Sequence, residues 1–151
     1  MVELKFLTHS TKFRCRRCTR CCSLDVMLSD QEIGRLGAAV DRRWRTTRKS
    51  SRNGRMVCSL LDGDCCTIYD KRPILCRVFP FIAIPESEFA EAGIGVDPDA
   101  VKITRAGTEA YLIIYDSDCP GIGEGDPTDP GAIQELTIRH LREMSHRIDR
   151  R

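Results

Sequence analysis

Short apolar stretches separated by polar ones run through the first third of the chain and predict short structural elements. Residues 2–7 alternate weakly between polar and apolar side chains, which predicts an edge strand. Ser29 is followed by Glu32, a capping-box pattern that predicts a helix whose apolar face runs to Val40. Residues 41–55 lose this apolar period, so we interpret them as a frayed helix end and an exposed loop.

Turn-forming residues mark two further elements near the middle of the chain. The Asp-Gly-Asp turn at 62–64 lies between two stretches, 56–61 and 65–69, that contain β-branched or aromatic side chains. This arrangement predicts a β-hairpin, because Asp-Gly supplies the positive φ angles that tight turns need. Pro73 suits the first turn of a short helix, which we expect Asp70 to cap and the next proline to end.

Two more strands and a loop are predicted after residue 100. Residues 101–104 and 110–115 contain β-branched and aromatic side chains on either side of Gly107. Residues 121–131 are rich in Gly and contain Pro, which predicts a linker-like loop.

An amphipathic helix is predicted at the end of the chain, from Pro130 to about Ile148. Asp129 is a suitable cap, and a proline is favoured at the first helical position. His140 falls on the apolar side of this helix and is expected to be a satisfied core residue. The other residues of the apolar face are Ile133, Leu136, Leu141, Met144 and Ile148.

Nine cysteines change this picture, because they are clustered along the chain and odd in number. They stand at positions 15, 18, 21, 22, 58, 65, 66, 76 and 119. The N-terminus has no continuous apolar region typical of a secretory signal, and no apolar run reaches the roughly 20 residues that span a bilayer. We therefore expect a cytoplasmic protein with no membrane segment and with reduced thiols, which favours metal ligation over disulfides.

The first cysteine motif is Cys15-Arg-Arg-Cys18-Thr-Arg-Cys21-Cys22. Two-residue gaps allow successive thiolates to turn back onto one metal centre, and the repeated C-x2-C-x2-C spacing is the one that bacterial ferredoxins use for iron–sulfur clusters. The adjacent pair is harder to place, because neighbouring side chains diverge in a strand and in a helix. One member of the pair can therefore belong to a second centre.

The other cysteines lie in two further motifs. Cys58 precedes a block that runs from Cys66 to Cys76 and continues as Arg-Val-Phe-Pro, and Cys119 is followed by Pro-Gly-Ile-Gly. We expect Gly121 and Gly123 to let backbone N–H groups approach a sulfur. A phosphate-binding loop is the weaker alternative, because nearby acidic residues would repel phosphate.

At these three motifs the chain resembles the YkgJ-type cysteine-cluster family, whose signature is CxxCxxCC and which is associated with zinc or iron chelation. The resemblance covers roughly residues 13–125. It departs from the family at Thr19, where glycine is common, and at Cys65, an extra thiol. The resemblance implies metal binding, and a similar motif in a bacterial flagellin lysine methylase adds methyl transfer to the possible activities.

Charge is distributed unevenly along the chain, although the net charge is only +2. Residues 1–80 carry 17 Lys and Arg against 8 Asp and Glu, and residues 81–151 carry 7 against 14. A basic half is typical of nucleic-acid binding, but thiolate-bound metal centres are anionic and also attract Arg. For the Arg-rich segment around Trp44 we favour a solvated loop over a clamp for nucleic acid.

These observations predict one α+β domain over residues 1–151, in which short strands and loops surround a cysteine-bound metal centre. Residues 13–125 form its cysteine-cluster region, and residues 126–151 form a linker and the closing helix. The chain is 41% hydrophobic and 30% charged, which is typical of a globular protein. Because metal binding draws the thiols together, we expect it to contribute to folding.

Eight cysteines suit two four-sulfur sites, and Cys65 is the thiol that we expect to be spare. The predicted ligands are Cys15, Cys18, Cys21, Cys22, Cys58, Cys66, Cys76 and Cys119, with Arg72, Arg77, Gly121 and Gly123 around the cofactor. An iron–sulfur cluster, for example 4Fe–4S, in electron transfer or as a cofactor-bearing part of an enzyme is favoured, with a protein redox partner. The alternative is a structural-zinc module that contacts nucleic acid or an acidic protein.

Overall fold

The computed structural model describes residues 4–104 and 109–145. Contacts divide the chain into two compact units: unit 1 comprises residues 1–16 and 78–137, and unit 2 comprises residues 17–77 and 138–151. Short antiparallel strand pairs are combined with helices, so the predicted α+β class is confirmed. In the part of the chain that the structure describes, no helix has the length and apolarity needed to cross a membrane.

The elements are short and follow one another closely. The strands are β1 (Leu4–Phe6), β2 (Lys12–Phe13), β3 (Val40–Asp41), β4 (Thr46–Thr47), β5 (Lys49–Arg52), β6 (Arg55–Cys58), β7 (Leu61–Asp62), β8 (Cys65–Cys66), β9 (Phe81–Pro85), β10 (Lys102–Thr104), β11 (Ala110–Asp116) and β12 (Asp126–Pro127). The helices are α1 (Asp30–Leu36), α2 (Ile74–Val78), α3 (Glu86–Glu91) and α4 (Pro130–Ser145). Single 3₁₀ turns are formed by Arg20–Ser23, Gly37–Ala39 and Tyr69–Lys71.

Unit 1 is built on an antiparallel sheet in which β11 is the central strand. β9 pairs along one edge of β11, and β1 and β10 pair with its two ends along the other edge. Leu112 and Ile114 of β11 pack against Phe89 of α3. The predicted strands at 101–104 and 110–115 are confirmed, and so is the described part of the strand at 2–7; Gly107 lies outside the described residues.

The sequence did not predict β9 or α3, and it placed residues 121–131 entirely in a loop. β9 is a continuous apolar run between Pro80 and Pro85, with no alternation to identify it as a strand. Within the predicted loop, β12 pairs with β2, so that Asp126 lies opposite Phe13. The interpretation of residues 126–129 purely as a linker is therefore wrong, because this segment closes a small ladder in unit 1.

In unit 2 the predicted capping box is present at the start of α1. The Glu32 N–H donates to Ser29 Oγ (3.3 Å), and the Ser29 N–H donates to Glu32 Oε2 (3.0 Å). This reciprocal pair satisfies two backbone donors that a helix start would otherwise leave unpaired. The apolar face of α1 contributes Ile33 to a buried cluster with Val26, Leu28 and Val40.

The prediction for residues 41–55 is wrong. β5 and β6 form a hairpin in which Lys49 pairs with Cys58, and its turn is Asn53-Gly54, with φ angles of 50° and 75°. Asn-Gly is favoured in such turns, but the charged and hydroxyl side chains of β5 gave no apolar period. Because 56–58 pair with β5, the predicted hairpin around 62–64 is reduced to β7 and β8.

The two predicted caps of the later helices differ in outcome. Asp129 Oδ1 accepts hydrogen bonds from the N–H groups of Gly131 (3.0 Å) and Ala132 (3.3 Å), which confirms it as the cap of α4. Asp70, in contrast, lies in the preceding 3₁₀ turn, and the first N–H of α2 donates to Glu32 instead. The Asp70 prediction is therefore wrong, because α2 begins only after Pro73.

The predicted apolar face of α4 is only partly correct. Ile133 is buried, but the Leu141 side chain is 47% exposed. The buried positions also include polar residues, namely Gln134, Thr137 and His140. Polar side chains thus occupy part of the buried face of α4. The spacing of apolar residues does not identify such positions. Ile148 and the predicted helix end lie outside the described residues.

Candidate metal centre

Electrostatic interactions connect five thiols of unit 2, because Cys22 and Cys76 each interact with several of the others. Each of them is half-buried, and they come from four different elements. The first two belong to the 3₁₀ turn that follows Thr19, one ends β6, one ends β8 and one lies within α2. These five residues, named here the thiol cluster, are Cys21, Cys22, Cys58, Cys66 and Cys76.

The hairpin of β5 and β6 holds both ends of the turn that carries the adjacent cysteines. Arg55 Nη2 donates to the Thr19 carbonyl (3.0 Å), and Lys49 Nζ donates to the Ser23 carbonyl (2.7 Å). The Lys49 ammonium also forms an ion pair with Asp25 (2.6 Å). Since Cys58 terminates the same hairpin, these bonds bring the turn and Cys58 together.

An aromatic ring connects the first cysteine motif with the second. The guanidinium carbons of Arg17 and Arg72 lie 4.2 Å and 3.8 Å from the centre of the Tyr69 ring. Arg72 Nε also donates to the Tyr69 carbonyl (2.7 Å), which fixes the guanidinium. Such cation–π contacts stabilise by about 0.5–2 kcal/mol each. The sequence placed Tyr69 inside the second motif without assigning it a role, because a contact across so many residues leaves no local signal.

The pKa values of the two adjacent thiols, Cys21 and Cys22, are shifted in opposite directions. The Cys22 thiol donates a hydrogen bond to the Cys21 sulfur and, with help from the positive charge of Arg72, lowers the pKa of Cys21 to about 6 despite burial. The same bond raises the pKa of Cys22. Burial, followed by the charges of Cys21, Cys58 and Cys66, raises the pKa of Cys76 to about 12. A bound cation would favour the thiolate form at each of these sulfurs, because it offsets their mutual repulsion.

The chemistry of the thiol cluster fits a metal that prefers sulfur. Thiolates are the ligands of structural zinc and of iron–sulfur clusters. The hydroxyl of Ser23, the residue after Cys22, is buried without a hydrogen-bond partner in the described part of the chain and is therefore available as a donor. Within residues 4–104 and 109–145, however, no three His, Cys, Asp or Glu side chains already form a coordination shell.

The other three predicted ligands are not among the residues of the thiol cluster. Cys18 is an exposed residue of unit 2, whereas Cys15, which is exposed, and Cys119, which is half-buried, belong to unit 1. Cys65 is exposed, like Cys15 and Cys18, so exposure does not distinguish it and its role as the spare thiol stays a prediction. The ligand roles of Cys15, Cys18 and Cys119 stay predictions.

The four residues predicted around the cofactor differ in their exposure and in their contacts. Arg72 is half-buried and acts electrostatically on the thiol cluster, whereas Arg77 is exposed on α2. Gly121 allows a close approach, because a Cβ there would collide with the Arg14 carbonyl. The Gly123 N–H donates to the Lys12 carbonyl (2.9 Å). Gly121 thus has a packing role in unit 1 and Gly123 adopts a positive φ angle of 87°, and the role of both at a cofactor stays a prediction.

His140 was expected to be a satisfied core residue. It is 7% exposed, but its Nδ1 atom has no hydrogen-bond partner among the described residues. Burial lowers the pKa of His140, while the charges of Glu32 and Glu143 act in the opposite direction. The expectation that His140 is buried is therefore confirmed. The expectation that its ring is fully hydrogen-bonded is wrong at Nδ1.

Together, the α+β fold and the gathered thiols define a class of cysteine-rich metal-chelating domains. The family model of the CxxCxxCC putative zinc- or iron-chelating domain matches residues 14–120, more than two thirds of the chain. The chain therefore belongs to this family, as its cysteine motifs predicted. Comparisons with curated proteins and with solved structures found no match.

Thr19 has a φ angle of 66°, which lies in the left-handed region that favours glycine. A β-branched residue is strained there, at a cost of about 1–2 kcal/mol. We expect Thr19→Gly to stabilise the metal-loaded protein against denaturant by about 0.5–1 kcal/mol, since glycine also loses more entropy on folding. Ser51→Gly in β5, where the backbone is extended, is the matched control and is expected to destabilise. Equal losses of stability in both variants would contradict the argument.

Proposed function

We propose that this metal-binding protein holds an iron–sulfur cluster and serves in electron transfer or as the cofactor-bearing part of an enzyme. The single observation that carries the proposal is the thiol cluster, in which Arg72 supplies a positive charge. Four thiolates and iron form an anionic centre, and neighbouring guanidinium groups and hydrogen bonds to the sulfurs tune its reduction potential. The C-x2-C-x2-C spacing in the sequence also favours iron–sulfur over zinc, although only its third cysteine, Cys21, lies in the thiol cluster.

Residues of unit 2 would supply the ligands, the hydrogen bonds and the neighbouring charge of such a cluster. Cys21, Cys58, Cys66 and Cys76 are the ligands that we favour within unit 2, with Cys22 as an alternative to Cys21. The Ser23 hydroxyl suits donation to a bound sulfur, and Arg72 offsets the negative charge. A cluster held in this way supplies one-electron chemistry. Methyl transfer, which the resemblance added, would require a substrate pocket that we do not assign.

Structural zinc is the competing proposal, with nucleic acid or an acidic protein as partner. An exposed aromatic side chain supports it, since Trp44 is 63% exposed and the Arg43 guanidinium lies 5.1 Å from the centre of its ring. The adjacent cavity of about 510 Å³, however, is lined by Asp41 and by the ion pair of Asp25 with Lys49, so its two carboxylates outnumber the one ammonium group and would repel phosphate. We therefore favour a protein redox partner over nucleic acid. A cytoplasmic location is proposed because these thiols must stay reduced.

Anaerobic purification followed by absorbance spectroscopy and metal analysis tests the proposal. We expect a coloured protein with a broad visible band and with iron and acid-labile sulfide, both of which are lost in Cys58→Ser. Cys65→Ser is the matched control and is expected to keep the colour. A colourless protein that contains zinc in stoichiometric amounts would support the competing proposal, and a protein without either metal would contradict both.

A further inference from the structure

The carboxylate of Glu32 connects α1 with α2 inside unit 2. One of its oxygens, Oε2, accepts the Ser29 N–H as part of the capping box (3.0 Å). The other oxygen, Oε1, accepts the N–H of Ile74 (2.7 Å), the first residue of α2. Glu32 is only 4% exposed, so both bonds are shielded from water. Hydrogen bonds to a buried carboxylate are among the stronger ones in proteins.

Helix α2 depends on this distant acceptor because its own sequence supplies none. The residue before Ile74 is Pro73, whose side chain has no hydrogen-bond acceptor, and Asp70 lies in a separate 3₁₀ turn. An unpaired N–H at a buried helix start would be costly, and a negative charge there is favourable. The Glu32 side chain therefore caps α2 from 42 positions away along the chain.

The start of α2 determines where a sulfur of the thiol cluster lies. Cys76 follows Ile74 within the same helical turn, and with Leu75 it packs against the buried cluster that contains Ile33 of α1. A shift at Ile74 would therefore move the Cys76 sulfur relative to the other thiols. Cys76 interacts electrostatically with Cys21, Cys58 and Cys66, so such a shift would alter the thiol cluster itself.

We propose that Glu32 is a positioning residue of the metal centre: its buried carboxylate fixes the start of α2 and thereby holds the Cys76 sulfur at the thiol cluster. This inference rests on the proposed metal binding, and it assigns a role to a residue outside all three cysteine motifs. Residues that orient a metal ligand without binding the metal act through that ligand, and their loss typically weakens metal affinity by about 10–100-fold.

The first test is Glu32→Gln, which preserves the size of the side chain. The amide has one oxygen, so it can accept only one of the two N–H groups and turns its NH₂ toward the other. We expect about 10–100-fold weaker Zn²⁺ binding in competition with a chromophoric chelator. Asp30→Asn removes an exposed charge from the same helix turn and is expected to leave the affinity unchanged. Equal affinities for wild type and Glu32→Gln would overturn the proposal.

A double-mutant cycle separates positioning from a general loss of stability. If Glu32 acts through Cys76, adding Glu32→Gln to Cys76→Ser should weaken Zn²⁺ binding no further. The same substitution added to Cys58→Ser should still cause most of its single effect. Additive losses in both backgrounds would show a merely structural role and would overturn the proposal.

Thiol alkylation provides the readout if the serine variants bind Zn²⁺ too weakly for a cycle. In the Zn²⁺-loaded protein, Glu32→Gln should increase the alkylation rate at Cys76 by several-fold and leave the rate at Cys58 unchanged. An equal increase at both sites would overturn the proposal. If the wild-type protein binds neither Zn²⁺ nor iron, the proposed function itself fails, whereas tight wild-type binding with an unaffected Glu32→Gln variant refutes only the role of Glu32.

Discussion

Removing the metal with a strong chelator is expected to abolish the cooperative thermal unfolding of this protein. The strands of unit 2 contain only two to four residues each, and the helices α1 and α2, which carry or adjoin its buried cluster, contain seven and five. Elements this short are marginal without additional links between them. Metal binding to a structural thiolate site contributes about 10–16 kcal/mol in zinc-finger peptides, and we expect a contribution of the same kind to support folding here.

The measurement is a melting curve followed by circular dichroism, with and without chelator under reducing conditions. Restoring the transition by adding back the metal serves as the control for irreversible damage. Hydrogen exchange adds a local test, since the amides of β5 and β6 should lose protection when the metal is removed. An apo protein with an unchanged melting curve would contradict the expectation.

Local chemistry in the sequence was sufficient to predict several elements. Ser29 and Glu32 predicted the start of α1, and Asp129 predicted the start of α4, because a helix cap depends on residues only two or three positions apart. The hairpin of β5 and β6 was missed because the polar side chains of β5 concealed the signal of Asn53-Gly54. β9 was missed because prolines bound an apolar run that has no alternation.

The site could be predicted in composition but not in geometry. The spacing of the cysteines predicted the donors, and the family match supports metal binding in general, whereas the individual ligand roles stay predictions. The spacing of the cysteines could not show that Arg55 and Lys49 hold the turn of Cys21 and Cys22. These hydrogen bonds join residues from distant parts of the chain. The hydrogen bond between Ile74 and Glu32 also joins distant parts of the chain. From the sequence, Glu32 was assigned only its role in the capping box of α1.

The adjacent cysteines of β8 are expected to differ sharply in their importance for metal binding. In the hairpin register, Cys66 pairs with Leu61 and Cys65 pairs with Asp62. Consecutive side chains of a strand point to opposite faces, so only one of the two thiols can face the thiol cluster. Leu61 is buried and Asp62 is exposed, and Cys66, not Cys65, interacts electrostatically with Cys22 and Cys76.

We therefore expect Cys65→Ser to keep nearly its full metal content, whereas Cys66→Ser should lose metal and, with it, soluble protein. Loss of a direct ligand should weaken binding by about 100-fold or more, beyond the 10–100-fold typical of groups that only orient ligands. Metal per chain, measured in the purified variants, decides the matter. Cys21→Ser and Cys22→Ser, measured in parallel, show whether the spare thiol lies in that adjacent pair instead. Metal loss in Cys65→Ser with retention in Cys66→Ser would contradict the register, because a shift by one residue exchanges the two faces of the strand.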